Sequence, residues 1–294
     1  MNVLAMKCDE KFKVTLFSVF AALFLTAIKF IVGISTNSLG ILSEALHSGL
    51  DLLAALITFF AVRMADKPAD KQHNFGHGKV ENFSALIEAV LLLATCVWII
   101  HEAIQRLAGH EEKVTVTVWS YAIVVIAIVV DISRSSALKR IAKKYNNQAI
   151  EADALHFSSD ILSSLVVLLG LVCTQFGFVI ADSIAGIVVA AIVIFISIRL
   201  AKRAVDSLLD SAPPHITEKA KEILDSDSEI LGYHDLRVRS SGEGYFIVVS
   251  LHLNPELTLT QAHDISDRIE RQIKDAVQFP SIVDIHIEPD NHNN

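Results

Sequence analysis

The chain has 294 residues, of which 52% are hydrophobic and 20% are charged, and its formal net charge is −8. This composition is too apolar for an ordinary soluble protein and too charged for membrane spans alone. It therefore predicts a membrane domain joined to a polar soluble domain. The acidic balance argues against nucleic acid as a partner. The cysteines (Cys8, Cys96 and Cys173) have no paired spacing, so we expect core thiols and no disulfide framework.

Six apolar runs occupy the chain up to about residue 201. A helix needs about 17–25 mostly apolar residues to cross a bilayer. The predicted spans are residues 14–34, 39–62, 83–104, 116–132, 152–173 and 180–198. The first run is long enough to span and lacks a small-residue cleavage site, so we expect no cleaved signal peptide.

Basic residues cluster at one set of span ends. That set carries Lys7, Lys11, Lys13, Arg63, Lys67, Lys71, Lys79, Arg134, Lys139, Arg140, Lys143, Lys144, Arg199, Lys202 and Arg203. The opposite set carries only Arg106 and Lys113. The positive-inside rule then places both termini in the cytoplasm and requires an even number of spans. We expect a bacterial inner (plasma) membrane, because the chain is compact and lacks a targeting sequence.

The last part of the chain has the pattern of a small soluble domain. Its predicted elements are a helix at 216–224, strands at 235–239 and 245–253, a helix at 260–277 and a strand at 282–287. The order αββαβ suggests an α+β sandwich of the ferredoxin-like type. The predicted fold class is thus a membrane all-α six-helix bundle (residues 1–210) followed by a cytoplasmic ferredoxin-like, metal-binding domain (residues 211–294).

Two copies of one short pattern lie inside the second and fifth apolar runs. Each copy reads Ala-Leu-His, then three residues, then Asp, and the pairs are His47 with Asp51 and His156 with Asp160. Residues four apart share one face of a helix. A charged residue at the bilayer centre costs about 2.5–3.5 kcal/mol on insertion scales. Two imidazoles and two carboxylates make a tetrahedral site that suits Zn²⁺.

An alternative is that each His–Asp pair is a private hydrogen bond that serves helix packing. The matched upstream acids (Glu44 and Asp153) favour one shared cation site instead. The two pairs can meet only if the fifth helix begins before Ala152, with residues 146–151 as a polar helical lead-in. Because histidine titrates near neutral pH, metal and proton would compete for the same ligands, which is a mechanism for proton-coupled transport.

Two further clusters lie outside the predicted spans. Asp70, His73 and His77 fall within eight residues of one loop, beside glycines that permit a tight turn. The soluble domain carries His234, His252, His263, His286 and Glu288, and the last two share a strand face. Solvated surface histidines are the alternative interpretation of both clusters. The sequence offers no plausible nucleophile–base set, so we predict that the protein is not an enzyme.

The chain resembles the cation diffusion facilitators over nearly its whole length, and within them the YiiP-type bacterial exporters. The stretches that carry the resemblance are residues 37–51, Phe75-Gly76-His77-Gly78-Lys79-Val80-Glu81, residues 153–164, Asp182-Ser183-Ile184-Ala185-Gly186 and Gly232-Tyr233-His234-Asp235-Leu236-Arg237. The resemblance implies a homodimer in the lipid bilayer that exports divalent cations in exchange for protons. It also implies an inter-subunit contact between Lys79 and Asp210.

The resemblance implies that three clusters hold metal. They are a transport site (His47, Asp51, His156 and Asp160), a loop site (Asp70, His73 and His77) and a cytoplasmic site (His234, His252, His263, His286 and Glu288). YiiP-type members have Asp at the position of His47, whereas zinc-selective members have His. We therefore expect Zn²⁺ as the transported and structural ion, with protons as counter-ion. The alternatives are transport of Fe²⁺, Co²⁺ or Cd²⁺, and a membrane metal sensor or scaffold that binds without transporting.

Overall fold

In the computed structural model, the described residues are 3–35, 39–108, 118–175, 179–242, 244–277 and 279–290. The chain divides into two compact units, Met1–Val205 and Asp206–Asn294. This division lies close to the domain boundary predicted between residues 210 and 211. Each unit has buried apolar clusters of its own.

The described part of the first unit consists of helices and the connections between them. Its helices are α1 (Val3–Ser35), α2 (Leu39–Ala65), α3 (Lys79–Leu107), α4 (Val118–Tyr145), α5 (Gln148–Gln175) and α6 (Val179–Leu208). Each overlaps one predicted span and is longer than that span, because polar residues extend the helices beyond the apolar runs. Among the described residues, three stretches qualify as membrane spans by length and composition: Asp9–Val32, Ser48–Ala65 and Lys79–Gln105.

Helix α5 contacts α2, α3 and α4. Small buried residues, Ala149, Ala152 and Ala154, line its contacts, and such residues let helices approach closely. The turn between α4 and α5 places Asn146 in the left-handed region, with φ of 51°. Asn147 caps α5, since its Oδ1 accepts the backbone N–H of Ile150 at 2.9 Å. As predicted, the fifth helix begins before Ala152, but it begins at Gln148, so the helical lead-in covers residues 148–151 and not the whole predicted range 146–151.

The second unit contains helices and a small sheet in the predicted order. Its elements are α7 (Pro214–Ser226), β1 (Gly232–Ser241), β2 (Gly244–Leu253), α8 (Leu259–Val277) and β3 (Ser281–Pro289). The sheet order is β1-β2-β3. Strands β1 and β2 form an antiparallel hairpin, and β3 pairs parallel to β2. The parallel pairing requires a crossover, which α8 provides.

The core of this unit lies on one face of β2. Alternate residues of that strand are buried: Tyr245, Ile247, Val249, Leu251 and Leu253. They pack in one cluster with Ile265, Ile269, Ile273 and Val277, which recur every four residues along α8. Because successive side chains of a strand point to opposite faces, Ser250 and His252 lie on the face away from this core. That open face carries the histidines discussed below.

Candidate metal centres

One cluster joins the middle of α2 to the first half of α5. His156 Nε2 lies 3.0 Å from Asp51 Oδ1 and 3.7 Å from Asp160 Oδ2. One ligand atom from each of the three residues lies within 4.8 Å of the others. The imidazole is thus closer to the carboxylate of the other helix than to that of its own. This geometry favours a shared site over two private helical bonds.

The cluster is shielded from solvent. The exposed fractions of the side chains are 3% for His156, 13% for Asp51 and 16% for Asp160. His156 Nδ1 has no hydrogen-bond partner among the described residues. His47 lies on α2 one turn before Asp51, but its side chain is outside the described residues. His156 Nε2 faces two carboxylate oxygens in an environment that is largely shielded from water, so it can hold either a proton or a divalent cation.

A buried polar network on α1, α4 and α5 lies beside this cluster, and the sequence pattern did not predict it. Arg134 Nη2 donates to Ser18 Oγ at 3.2 Å, and Ser18 Oγ donates to Asp153 Oδ2 at 3.0 Å. Arg134 Nη1 also donates to Asp131 Oδ1 at 3.3 Å. The Arg134 guanidinium stacks 3.4 Å from the ring centroid of Phe157. Charge counting placed Arg134 among the interfacial basic residues, whereas it is 1% exposed.

Glu88 on α3 is a second residue that sequence reasoning missed. Its side chain is 0% exposed. Thr58 Oγ1 of α2 donates to Glu88 Oε1, whereas Glu88 Oε2 has no hydrogen-bond partner within the described part of the chain. The available signal was an isolated acid inside the apolar run of the third span, fourteen residues before the next acid, Glu102. A search for repeated motifs does not detect a residue that occurs once.

The three residues predicted for the loop site converge between α2 and α3. His73 Nδ1 lies 3.4 Å from Asp70 Oδ1, and His77 Nε2 lies 3.5 Å from Asp70 Oδ2. The two imidazole ring centroids are 4.4 Å apart. Gly76 adopts φ of 79°, which glycine tolerates and which closes the turn before His77. The carboxylate and both rings therefore face one small volume.

Backbone amides hold the Asp70 carboxylate in its charged form. The N–H groups of His73 and Gln72 donate to Asp70 Oδ1 at 2.7 Å and 2.8 Å. These hydrogen bonds lower the pKa of Asp70 below its ordinary value. A carboxylate that stays ionised is available to a cation without first losing a proton.

The third cluster lies on the open face of the sheet. His234 Nδ1 and His252 Nε2 are 2.9 Å apart, and Glu288 lies 3.9 Å from His234 Nε2 and 3.7 Å from His252 Nε2. Strand register brings them together, since His252 of β2 pairs with Glu288 of β3. His234 precedes a β-bulge in β1, and Asp235 next to it has φ of 54°. The bulge fixes where the His234 ring meets its neighbours.

Two other predicted residues of this site have different positions. His286 Nε2 lies 3.4 Å from Glu288 Oε1 at the edge of the cluster and is 70% exposed. His263 lies on α8, 3.7 Å from Asp267, and does not belong to the group formed by His234, His252 and Glu288. Asp290, which was not predicted, lies 3.8 Å from His252 Nδ1. The sequence feature that could have identified Asp290 is the alternation of His286, Glu288 and Asp290.

The proposed inter-subunit residues lie in separate units of the chain. Lys79 is the first residue of α3. Asp210 follows α6 in a left-handed conformation, with φ of 59°, and accepts a bond from Arg239 Nη1 at 3.4 Å. A contact between these residues across a dimer stays a prediction.

Comparison with known proteins covers nearly the whole chain. The cation efflux transmembrane domain matches residues 15–209. The cytoplasmic domain of cation efflux proteins matches residues 212–290. These two ranges meet close to the division between the two compact units.

Curated relatives match over most of their length. The cation-efflux pump FieF of Shewanella oneidensis is 32% identical over 273 residues, which are 92% of this chain and 92% of that protein. FieF of Escherichia coli is 32% identical over 258 residues, 86% of this chain and 84% of that protein. FieF of Yersinia enterocolitica is 31% identical over 241 residues, 81% of this chain and 79% of that protein.

Among solved structures, the metal-bound C-terminal domain of the CzcD transporter from Thermotoga maritima is 20% identical and covers 27% of this chain and 93% of that chain. Its TM-score of 0.26 is too low to support an argument about the fold. The family matches carry the assignment. The chain is a membrane protein with a helical domain followed by a C-terminal domain that contains a small sheet and helices, and it belongs to the cation efflux family, the cation diffusion facilitators.

Proposed function

We propose that this protein exports Zn²⁺ across the plasma membrane in exchange for protons. The observation that carries the proposal is the meeting of Asp51, His156 and Asp160 between α2 and α5. Ionisable residues inside a membrane are costly and mark ion pathways. In the proposed arrangement six helices span the bilayer, both termini are cytoplasmic, and the second unit folds as a ferredoxin-like domain.

The donor set supports Zn²⁺ as the substrate. The described cluster offers one imidazole nitrogen and two carboxylates, and we propose His47 as the fourth ligand. Zn²⁺ accepts nitrogen and oxygen ligands in tetrahedral geometry. A second imidazole favours borderline cations over hard ones such as Mn²⁺. Fe²⁺, Co²⁺ and Cd²⁺ are the competing substrates.

Exchange with protons follows from the chemistry of His156. A metal ion needs the lone pair of Nε2, so Nε2 cannot carry a proton and a metal at the same time. In the metal-free cluster a proton on Nε2 would bind Asp51 Oδ1, 3.0 Å away. Metal entry displaces this proton, and proton entry from the other side of the membrane releases the metal.

The cluster on the open face of the sheet (His234, His252 and Glu288), called the cytoplasmic cluster below, fits a second role for metal. Two imidazole nitrogens and the Glu288 carboxylate converge there, and His286 lies 3.4 Å from the same carboxylate. We propose that Zn²⁺ bound by these residues stabilises a homodimer of cytoplasmic domains, whereas His263 lies outside this ligand group. In that dimer Lys79 and Asp210 would form the inter-subunit contact. Asp70, His73 and His77 would hold a further ion in the loop.

Transport by purified protein in proteoliposomes tests this proposal. Asp51→Asn and Asp160→Asn each remove one ligand charge and should abolish Zn²⁺ flux driven by a pH gradient. Glu151→Gln is a matched control on α5, because Glu151 pairs with Arg203 at an exposed position. Wild-type flux in either ligand variant would contradict the proposed site.

The same assay decides between transport and sensing. The cytoplasmic cluster alone would serve a membrane metal sensor, which needs no charged residues inside the membrane. A sensor would bind Zn²⁺ without moving it into vesicles. Counterflow of Zn²⁺ through wild-type protein would exclude that alternative.

A further inference from the structure

Glu88 is a buried acid that the proposed metal site does not use. It lies in the first half of α3, within the apolar stretch Lys79–Gln105, and its side chain is 0% exposed. Its described hydrogen bond comes from Thr58 Oγ1, a neutral donor that is also 0% exposed. The other oxygen, Oε2, is buried without a partner among the described residues. Such an orphaned oxygen needs a physical explanation.

Among the described residues, the elements packed against Glu88 supply no permanent cation. Helix α2 presents Thr58, and α5 presents Asp153 and His156, which interact electrostatically with Glu88. Helix α6 packs there through apolar residues, Leu200 and Ala204. In the part of the chain that the structure describes, no ion pair joins Glu88 to a lysine or an arginine.

A buried carboxylate next to another acid and without a fixed cation is unstable in its charged form. A proton on Oε2 removes that charge. It also accounts for the hydrogen-bond pattern, because Oε1 accepts from Thr58 while Oε2 carries the hydrogen. Glu88 is therefore expected to be a neutral carboxylic acid when no metal is bound.

We propose that Glu88 holds an exchangeable proton that it releases when Zn²⁺ binds at Asp51, His156 and Asp160. The inference rests on the proposed exchange of Zn²⁺ for protons and adds a proton site outside the ligand set. His156 and Asp153 are three residues apart on α5 and share a face, so Glu88 interacts with the ligand helix without hydrogen-bonding to a ligand.

The proton balance is simple. When Zn²⁺ enters, its double positive charge stabilises the Glu88 carboxylate, the Oε2–H bond breaks, and the proton passes to water on the side from which the metal came. When Zn²⁺ leaves, the carboxylate takes a proton from water on the opposite side. Each cycle of Glu88 thus moves one proton against one metal ion, in addition to protons displaced from the ligands.

Proton release on addition of Zn²⁺ to the purified full-length protein tests the inference. Glu88→Gln keeps the shape and the Thr58 bond but cannot ionise. We expect this variant to bind Zn²⁺ at a fixed pH while releasing up to about one proton fewer per metal ion. Glu151→Gln is the control, because Glu151 lies on the ligand helix α5 but pairs with Arg203 at an exposed position. It should release as many protons as the wild type.

A second variant tests the proposal independently, in case Glu88→Gln does not fold. Thr58→Val leaves the carboxyl group but removes the bond that stabilises its charged form, so the pH dependence of Zn²⁺ binding should move to higher pH. Equal proton counts in Glu88→Gln and wild type, or an unchanged profile in Thr58→Val, would overturn the role of Glu88. A wild-type protein that releases no protons would instead contradict the exchange mechanism itself.

Discussion

The α2/α5 cluster and the cytoplasmic cluster use the same residue types in opposite environments. In the first, His156 is 3% exposed and faces carboxylates of two helices. In the second, His234 is 46% exposed and His252 is 32% exposed on an open sheet face. An open cluster exchanges ions with water directly. For the proposed transport, the buried cluster must open to one side of the membrane at a time.

The two clusters also differ in what supports them. The buried cluster lies beside a network of buried polar groups in which Arg134 is the cation and Asp131 and Asp153 are the acids. The cytoplasmic cluster is held by strand register and by a β-bulge. The buried cluster thus depends on the charged groups around it, whereas the open cluster depends on the spacing of side chains along a stable sheet.

The largest expected effect comes from His156. His156→Gln removes the nitrogen that faces both carboxylates, so Zn²⁺ flux in proteoliposomes should fall by about 100-fold or more, beyond the 10–100-fold typical of outer-shell changes. His234→Gln in the open cluster is the comparison variant and should retain measurable flux. Equal losses in the two variants would remove the functional distinction between the clusters.

Charge balance in the buried region predicts a strong stability effect at Arg134. Arg134→Met leaves Asp131 and Asp153 without their buried cation, and breaking such a pair costs about 3–5 kcal/mol. Arg237→Met is the exposed control, because Arg237 pairs with Asp235 at 3.1 Å on the surface and such pairs contribute about 1 kcal/mol or less. Thermal unfolding in detergent measures both. Similar losses would show that burial does not distinguish the two pairs.

A smaller effect is expected from Asp290. Its carboxylate lies 3.8 Å from His252 Nδ1, where it can orient the ring whose Nε2 faces Glu288. Asp290→Asn should weaken Zn²⁺ binding to the cytoplasmic cluster by about 10-fold, as for other outer-shell partners of histidine ligands. Competition with a chelating dye measures this affinity. An unchanged affinity would mean that Asp290 does not position His252.

The smallest expected effect concerns the pKa of Asp70 in the loop between α2 and α3. Because backbone N–H groups lower the pKa of Asp70, its charged form is favoured in the folded loop. The resulting stabilisation is present above the unfolded pKa and is lost only as pH falls through the lower folded value. Carbon NMR of the labelled carboxyl should therefore give a midpoint below the ordinary value of about 3.9. A midpoint at or above that value would contradict the observed hydrogen bonds.

The sequence predicted much of the fold because its patterns repeat. Apolar runs located α1 to α6, and alternation located β1, β2 and β3. Helix ends were less predictable, since α4 continues from Ile132 to Tyr145 through charged residues, with Arg134, Leu138 and Ala142 buried along one side. Hydropathy marks where a helix meets lipid, and it does not mark where the hydrogen-bonded helix ends.

The site residues were predictable where their spacing along the sequence was enough to identify them. Asp51, His156 and Asp160 were found from a repeated pattern, and the loop residues from their proximity in sequence. Glu88 and Arg134 were missed because single charges form no pattern, and their roles depend on which helices surround them. The position of His263 on α8, away from His234 and His252, depends on the packing of α8 against the sheet, which sequence spacing does not encode.

The most direct test of the central claim is an experimental structure of the protein with Zn²⁺, in which anomalous scattering locates the metal. The account predicts a Zn²⁺ peak between α2 and α5, bound by Asp51, His156 and Asp160, with His47 as the fourth ligand. Peaks at the loop and at the cytoplasmic cluster, with none between α2 and α5 at saturating Zn²⁺, would contradict it.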